Sequence, residues 1–530
     1  MRFTNHRARF SPAESPVSWL CDNFFLLEHP RDIRYNKYNI VSRCGGAVAR
    51  AAPRFDALPR ARPGFAGGRS QQTQRTVTAL AERRSLTSGN ITGAIVAFVL
   101  PMMLGSLIQQ LYTMTDSVIV GQFTGKTGLA AINAVATLFK FPLNFMNGLA
   151  AGATILISKA YGANDRDDLR RSVGAALAVS VALGVVFTLV GVAATPWLMR
   201  LMSIPADIWE PTQVYCRVYF SGLWAMVLYN MTAGVLRAFG DTRRPLYVLI
   251  LCCVVNIAGD LLLVGVFHMG VGGAAAATVA AQVVSAVAVL WMLHRSLEGG
   301  LFPKEKQRIS GARVADMLKK GFPLAIQSVL FPIANSIIQA SVNTMGTNAI
   351  AAWGICDKLD LLIWLVADSM SPALTTYIAQ NIGAGRYDRV KKGAVTGTLL
   401  SAGTVALISL ILFFGSRLFG GWFISSEDAG DILPLVVRYM SLMCPFFFFY
   451  SFAEAFSGAC CGMGNTLVPM ITTLTTICLL RVLSIWFILP HFQTMECIVW
   501  IYIASWIVAG AAFTVMFAHR ARKLPKTGES

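Results

Sequence analysis

The sequence predicts an all-α polytopic membrane protein, with twelve transmembrane helices in two six-helix parallel repeats, an N-lobe and a C-lobe. Three observations carry this. The 530 residues are 55% hydrophobic and only 14% charged, against about 25% charged in ordinary soluble chains. The apolar residues fall in runs near the ~20-residue length that crosses a bilayer. Motifs of the first half also return in the second at near-constant spacing, the mark of an internal repeat.

Taken in order, the chain opens with a basic extension, 1–87. Its first 85 residues hold 15 Lys/Arg and 6 Asp/Glu, interrupted by Pro and Gly, without helical period. Such composition predicts a disordered tail rather than a nucleic-acid binder. A cleavable signal pattern, an apolar core before a small-residue site, is missing from it. A second reading starts the working chain near 76–88, and an intact mass that includes residues 1–75 excludes it.

Spans are expected at 93–119, 128–156, 172–194, 213–237, 245–267 and 272–293 in the N-lobe (88–295). A charged linker, 296–319, leads to the C-lobe (320–519), with spans at 320–344, 349–378, 394–416, 435–459, 467–489 and 495–518. A tail, 520–530, follows. With the N-terminus in the cytoplasm, 21 Lys/Arg fall on cytoplasmic connections and 4 on the opposite ones. The positive-inside rule therefore puts both termini in the cytoplasm.

The halves answer each other motif by motif. Pro101 matches Pro323, Gly162 matches Gly383, and the GDTRRP run at Gly240–Pro245 matches GNTLVP at Gly464–Pro469; the offsets are 222, 221 and 224. Six spans per repeat, an even number, make the repeats parallel, and in such transporters the binding site lies between them.

Within this apolar frame the charges stand out. Asp116 sits in the second half of the first span, with Tyr112 four residues earlier on the same helical face. A charge at mid-bilayer costs roughly 2.5–3.5 kcal/mol on insertion scales and marks a functional position by default. Asn256 and Asp260 share a face of the fifth span in the same way. Weaker candidates are Gln109, Asn144 and Asn147, expected to face the lumen between lobes. Asn230 is drawn nearer the cytoplasmic side. Glu454 and Arg481 are expected to form a structural salt bridge, with a second proton or substrate acid as the alternative. Asp357, Lys358 and Asp360 are read as an ion-paired or cavity-facing patch. The 11 Cys show no CxxC spacing, so neither a disulfide nor a metal site is expected. HExxH and GxxxxGK[ST] are both missing, which argues against an enzyme and against an ATPase within the chain.

Several of these motifs resemble the multidrug and toxic compound extrusion (MATE) family. The QQLYTMTDSVIVG run at Gln109–Gly121, the YGANDRDDLRRSV loop with its counterpart QNIGAGRYDRVKKG, LRAFGDTRRPL, and NIAGDLLLVGVFHMGVGGAAAATV at 256–279 carry the likeness. It spans about 88–520. It implies efflux of small organic cations in exchange for H⁺ or Na⁺, without a cofactor, by a functional monomer of the cell (inner) membrane. The pattern resembles the DinF-like branch, which implies an N-lobe cation site at Tyr112, Asp116, Asn256, Asp260 and Thr278. NorM-like members carry an acid on the seventh helix, and 320–344 contains none.

Depth supports such a cluster independently. At about 1.5 Å per residue, Asp260 lies about 10 Å from the outer end of its span, Thr278 about 9 Å and Asp116 about 5 Å. Two carboxylates, a carboxamide and a hydroxyl converge there, and one proton or one Na⁺ would neutralise them. The alternative function is a flippase or exporter of a lipid-linked or polyanionic precursor, which asks for a strongly cationic cavity.

Overall fold

The structure is a computed structural model that describes residues 86–297, 300, 310–425 and 428–525. The basic extension before residue 86, most of the linker and the end of the tail lie outside the described residues. The helices are α1 and α2, two arms of Ile91–Gly162 that fold at Gly125, and α3, Arg166–Leu201. Then come α4, in the pieces Trp209–Ser221 and Leu223–Ala238, α5, Arg243–Asp260 with a wide turn over Leu261–Val266, and α6, Gly270–Ser296. The second half has α7, Gly311–Val342, α8, Thr347–Leu359 with Leu361–Gly383, and α9, Tyr387–Gly421. It closes with α10, Ala429–Met443 with Phe447–Gly462, α11, Leu467–Thr473 running through a wide turn to Phe487, and α12, Met495–Arg522.

Ten of these stretches are long and apolar enough to cross a bilayer. The first of them, 72 residues long, makes two passes around Gly125. The α4 pass is divided at Gly222, so neither piece reaches spanning length alone. Twelve passes result.

The repeat is built into the turns. Gly125 and Gly346, Asn164 and Gly385, and Gly240 and Gly464 all take positive φ at matching places. At Gly240 and Gly464 φ is 85° and 91°, a region that only glycine enters without strain. The next residue then caps the following helix: Asp241 Oδ1 accepts from Arg243 and Arg244 N–H at 3.2 and 3.1 Å, and Asn465 Oδ1 accepts from Val468 N–H at 3.2 Å. The following proline, Pro245 or Pro469, sits in the first turn, where a missing N–H costs nothing.

Most helices run past the predicted bounds. Helix α1 runs on from 119 to Gly125, α3 spans Arg166–Leu201 against 172–194, α9 spans Tyr387–Gly421 against 394–416, and α7 begins at Gly311, nine residues before the predicted start. The α7 extension carries Arg313, Asp316 and Lys319, and hydropathy registers bilayer crossing rather than helix. The early turns of α7 carry Arg313, which pairs with Asp168 of α3 at 2.6 Å.

The halves meet through small residues, the usual means by which membrane helices approach closely. A Cβ on Gly148 would stand 2.5 Å from Ala325 Cα, and one on Gly152 would stand 2.3 Å from Gly321 Cα. A Cβ on Gly162 would meet Gln380 O, and one on Gly383 would meet Lys159 O, each at 2.0 Å. Gln380 Nε2 also donates across to Ala238 O at 2.7 Å. All of these contacts lie toward the end of the bundle that carries both described termini.

At that end the start of α1 is tied to the second half. Arg389 donates to Gly89 O at 2.8 Å and to Leu86 O and Ser88 O at 3.3 Å each, and Leu86 is buried. Hydrogen bonds from a charged donor contribute about 1.5–3 kcal/mol each. Arg389→Ala is therefore expected to speed amide exchange at residues 86–92 by about tenfold or more, with α2–α6 unchanged. Unaltered protection there would disprove the clasp.

Candidate ion-coupling site

Each helix contributes to one buried cluster for a simple reason: polar residues four apart share a face. Helix α1 supplies Tyr112 and Asp116, α5 supplies Asn256 and Asp260, and α6 supplies Thr278. Asn256 and Asp260 are fully buried, and Thr278 is buried as well. Asp116 and Tyr112 are half-buried.

The Asp116 and Asp260 carboxyl groups are near neighbours. Two facing carboxyl groups hydrogen-bond only with a proton between them, since an ionised carboxylate has no donor. Tyr112 lies beside Thr278 and Asp116. The Asn256 carboxamide, oriented by its partners, donates to Asp260 Oδ2 at 2.9 Å and accepts from Thr278 Oγ1 at 3.3 Å. One oxygen of each acid, Asp116 Oδ1 and Asp260 Oδ1, is buried without a partner. A buried polar atom left so costs about 1–3 kcal/mol. The donor set is oxygen alone, which suits a proton or a small hard cation.

The longer α1 corrects the depth estimate. Asp116 is nine residues from the Gly125 break, about 13.5 Å at 1.5 Å per residue. Asp260 is six residues before Val266, about 9 Å, and Thr278 eight after Gly270, about 12 Å. The three lie at one level, toward the end of the bundle opposite the described termini.

Sequence reasoning missed two neighbours. Tyr215 and Tyr219 of α4 stand within electrostatic reach of Asp116, and Tyr219 packs on Phe139 with ring centroids 4.0 Å apart. Their i, i+4 spacing in YCRVYF was the available signal. It showed only that they share a face, and not which way that face turned.

A cavity of about 580 Å³ lies between the halves. Gln109, Asn144, Asn147 and Asn230 line it, together with Arg237 and Glu454. Asn230 is therefore apart from the acid cluster, and its amide donates to Met226 O at 2.9 Å. None of the five cluster residues lines this cavity. The expected Glu454–Arg481 salt bridge does not form. Glu454 faces the central cavity, which Ser371 and Tyr450 also line. Arg481 points elsewhere, to Ser505 and Asn335. Sharing a lobe did not bring them together, because their helices present them to different cavities.

Comparison with known proteins agrees with this architecture. The MatE family model matches twice, at residues 101–262 and 323–487, once per repeat. The chain is 27% identical over 425 residues to the probable multidrug resistance protein YoeA of Bacillus subtilis, covering 79% of this chain and 90% of that one. It is 25% identical to the probable multidrug resistance protein NorM of Thermotoga maritima, covering 80% and 91%. A MOP superfamily transporter from Pyrococcus furiosus superposes with a TM-score of 0.75 at 22% identity, over 83% of this chain and 98% of that one, and shares the fold. Two matched repeats, twelve passes and a polar cavity between the halves lead to one conclusion: the chain belongs to the MatE family and is a multi-pass membrane transporter.

Proposed function

We propose that this transporter exports organic cations in exchange for H⁺ or Na⁺, with ion and cargo competing for the Asp116–Asp260 pair. The observation that carries the reading is the contact between two acids in a bilayer-spanning bundle, each with a buried oxygen lacking a partner. With both acids ionised the pair repels itself, and a proton, a Na⁺ or an organic cation relieves it. Binding one therefore displaces another, which is the competition an antiporter needs. An ion site confined to the first half is the DinF-like arrangement, and we place this chain there. The termini are assigned to the cytoplasm of a cell membrane by the Lys/Arg bias.

The transport cycle follows from the contacts between the halves. Glycine-to-backbone contacts near the termini close that end, and rocking one half on the other exposes the cavity to each side in turn. A polyanion flippase is the less favoured reading, because Glu454 and Asp368 line the central cavity beside Arg237. The test is uptake of a fluorescent organic cation into vesicles carrying the purified protein, under an imposed pH or Na⁺ gradient. Uptake that follows one of the gradients is expected. Uptake indifferent to both would contradict the reading, and the responsive gradient names the ion.

A further inference from the structure

The second half repeats the polar cluster of the first with its charge reversed. The repeat offset is 224 at Gly240/Gly464 and at Pro245/Pro469. The wide turn over Leu474–Leu479 of α11 inserts one residue, as such turns do. Beyond it the offset is 225, so Arg481 answers to Asn256. The surroundings correspond as well. Helix α12 gives Arg481 a hydroxyl, Ser505, as α6 gives Thr278 to Asn256. Helix α7 contributes Asn335, as α1 contributes Tyr112 and Asp116.

Arg481 is 1% exposed, and its guanidinium is always charged. Nε donates to Ser505 Oγ at 2.8 Å, Nη1 donates to Asn335 Oδ1 at 3.3 Å, and one face lies 4.0 Å from the Tyr502 ring. Nη2 has no partner. Among the described residues Arg481 makes no ion pair. Leaving a buried guanidinium with neutral partners alone is expensive, and its free fork matches a carboxylate.

Arg481 lines a second cavity of about 310 Å³ within this half. Phe331, Asp368 and Tyr450 line both it and the central cavity, so the two cavities adjoin. Trp353, Trp364 and Tyr502 give it aromatic walls. Asp357, Asp360 and Asp368 of α8 line the same cavity. Asp360 is 3% exposed, and its Oδ1 also lacks a partner. The cavity therefore holds a buried guanidinium that makes no ion pair, acids of α8 and aromatic rings.

We infer that this chamber binds a small aromatic zwitterion, its carboxylate on Arg481, its ammonium toward Asp360, and its ring against the tryptophans. A plain anion is disfavoured by the α8 acids and a plain cation by Arg481. The volume suits a molecule the size of an aromatic amino acid.

Binding to the purified full chain in lipid nanodiscs tests this, with tryptophan, tryptamine and indole-3-propionate as probes. Wild type is expected to bind tryptophan about tenfold or more tightly than either probe that lacks one charge. Arg481→Gln removes the preference for tryptophan over tryptamine while tryptamine still binds, and Arg481→Lys, which keeps the charge but loses the fork, falls between. Should Arg481→Gln fail to fold, the wild-type series and Arg481→Lys decide. Equal affinity of wild type for tryptophan and tryptamine, or unchanged preference in Arg481→Gln, overturns the assignment. Binding at this chamber is read rather than transport, so this result stands apart from the proposed exchange of an organic cation at the Asp116–Asp260 pair.

Discussion

Asp260→Asn is expected to bring gradient-driven cation uptake down to the level of protein-free vesicles, and Asp116→Asn to do the same. Asparagine keeps the shape of the side chain and cannot take or release a proton or ionise to bind a cation. Asp260 is fully buried, and its Oδ2 accepts from Asn256. The amide oxygen of the variant still accepts that bond, so the helices have no reason to part. Thermal stability is expected to stay within about 1 kcal/mol of wild type, because removing one of two facing acids also removes their repulsion. Lost coupling with retained folding separates an ion site from a packing contact. Two variants that both pump like wild type would reduce the pair to polar packing.

Gly383→Ala is expected to disable transport by a different route, with the acid cluster untouched. A methyl at Gly383 would stand 2.0 Å from Lys159 O, and one at its repeat partner Gly162 would stand 2.0 Å from Gln380 O. Both obstacles are backbone, which cannot swing aside. Helices α2 and α8 must separate where the halves now touch. Overpacking of this kind costs about 1–3 kcal/mol, a shift of roughly five- to 150-fold in the population of the closed arrangement. The strain falls between the halves and within neither of them, so the protein is expected to fold and insert. Cys461 lines the central cavity. In a variant keeping only that cysteine, maleimide labelling from the side bearing the termini is expected to rise by a similar factor, and uptake to fall. Unchanged labelling and uptake in Gly162→Ala and Gly383→Ala would show that this contact does not gate.

Much of this arrangement was legible in the sequence, for physical reasons that also set its limits. Bilayer-spanning runs follow from composition, since a lipid-facing backbone must bond to itself. The repeat was readable because its turns need particular residues, such as Gly240 and Gly464 at positive φ. The grouping of Asp116 with Asn256, Asp260 and Thr278 came from the likeness to the MATE family, and helical spacing and depth agreed with it. Helix rotation was out of reach. Glu454 and Arg481 looked like partners by charge, yet α10 and α11 turn them into separate cavities. The single residue inserted at Leu474–Leu479 turned the rest of α11 and set Arg481 opposite Asn256. Nothing in the local sequence announces such an insertion. Tyr215 and Tyr219 were missed for the same reason, since spacing gives a face and packing gives its direction.

The central claim is that ion and cargo compete for one pair of carboxyl groups. Its most direct test is the proton balance of cargo binding, taken from calorimetric titration of an organic cation into the purified protein in sodium-free buffers of different ionisation enthalpy. About one proton released per cation bound by wild type is expected, with none released by the Asp116→Asn/Asp260→Asn double variant, and with added Na⁺ weakening cation binding to wild type alone. Tight cation binding to wild type with no proton released and no effect of Na⁺ would contradict the account.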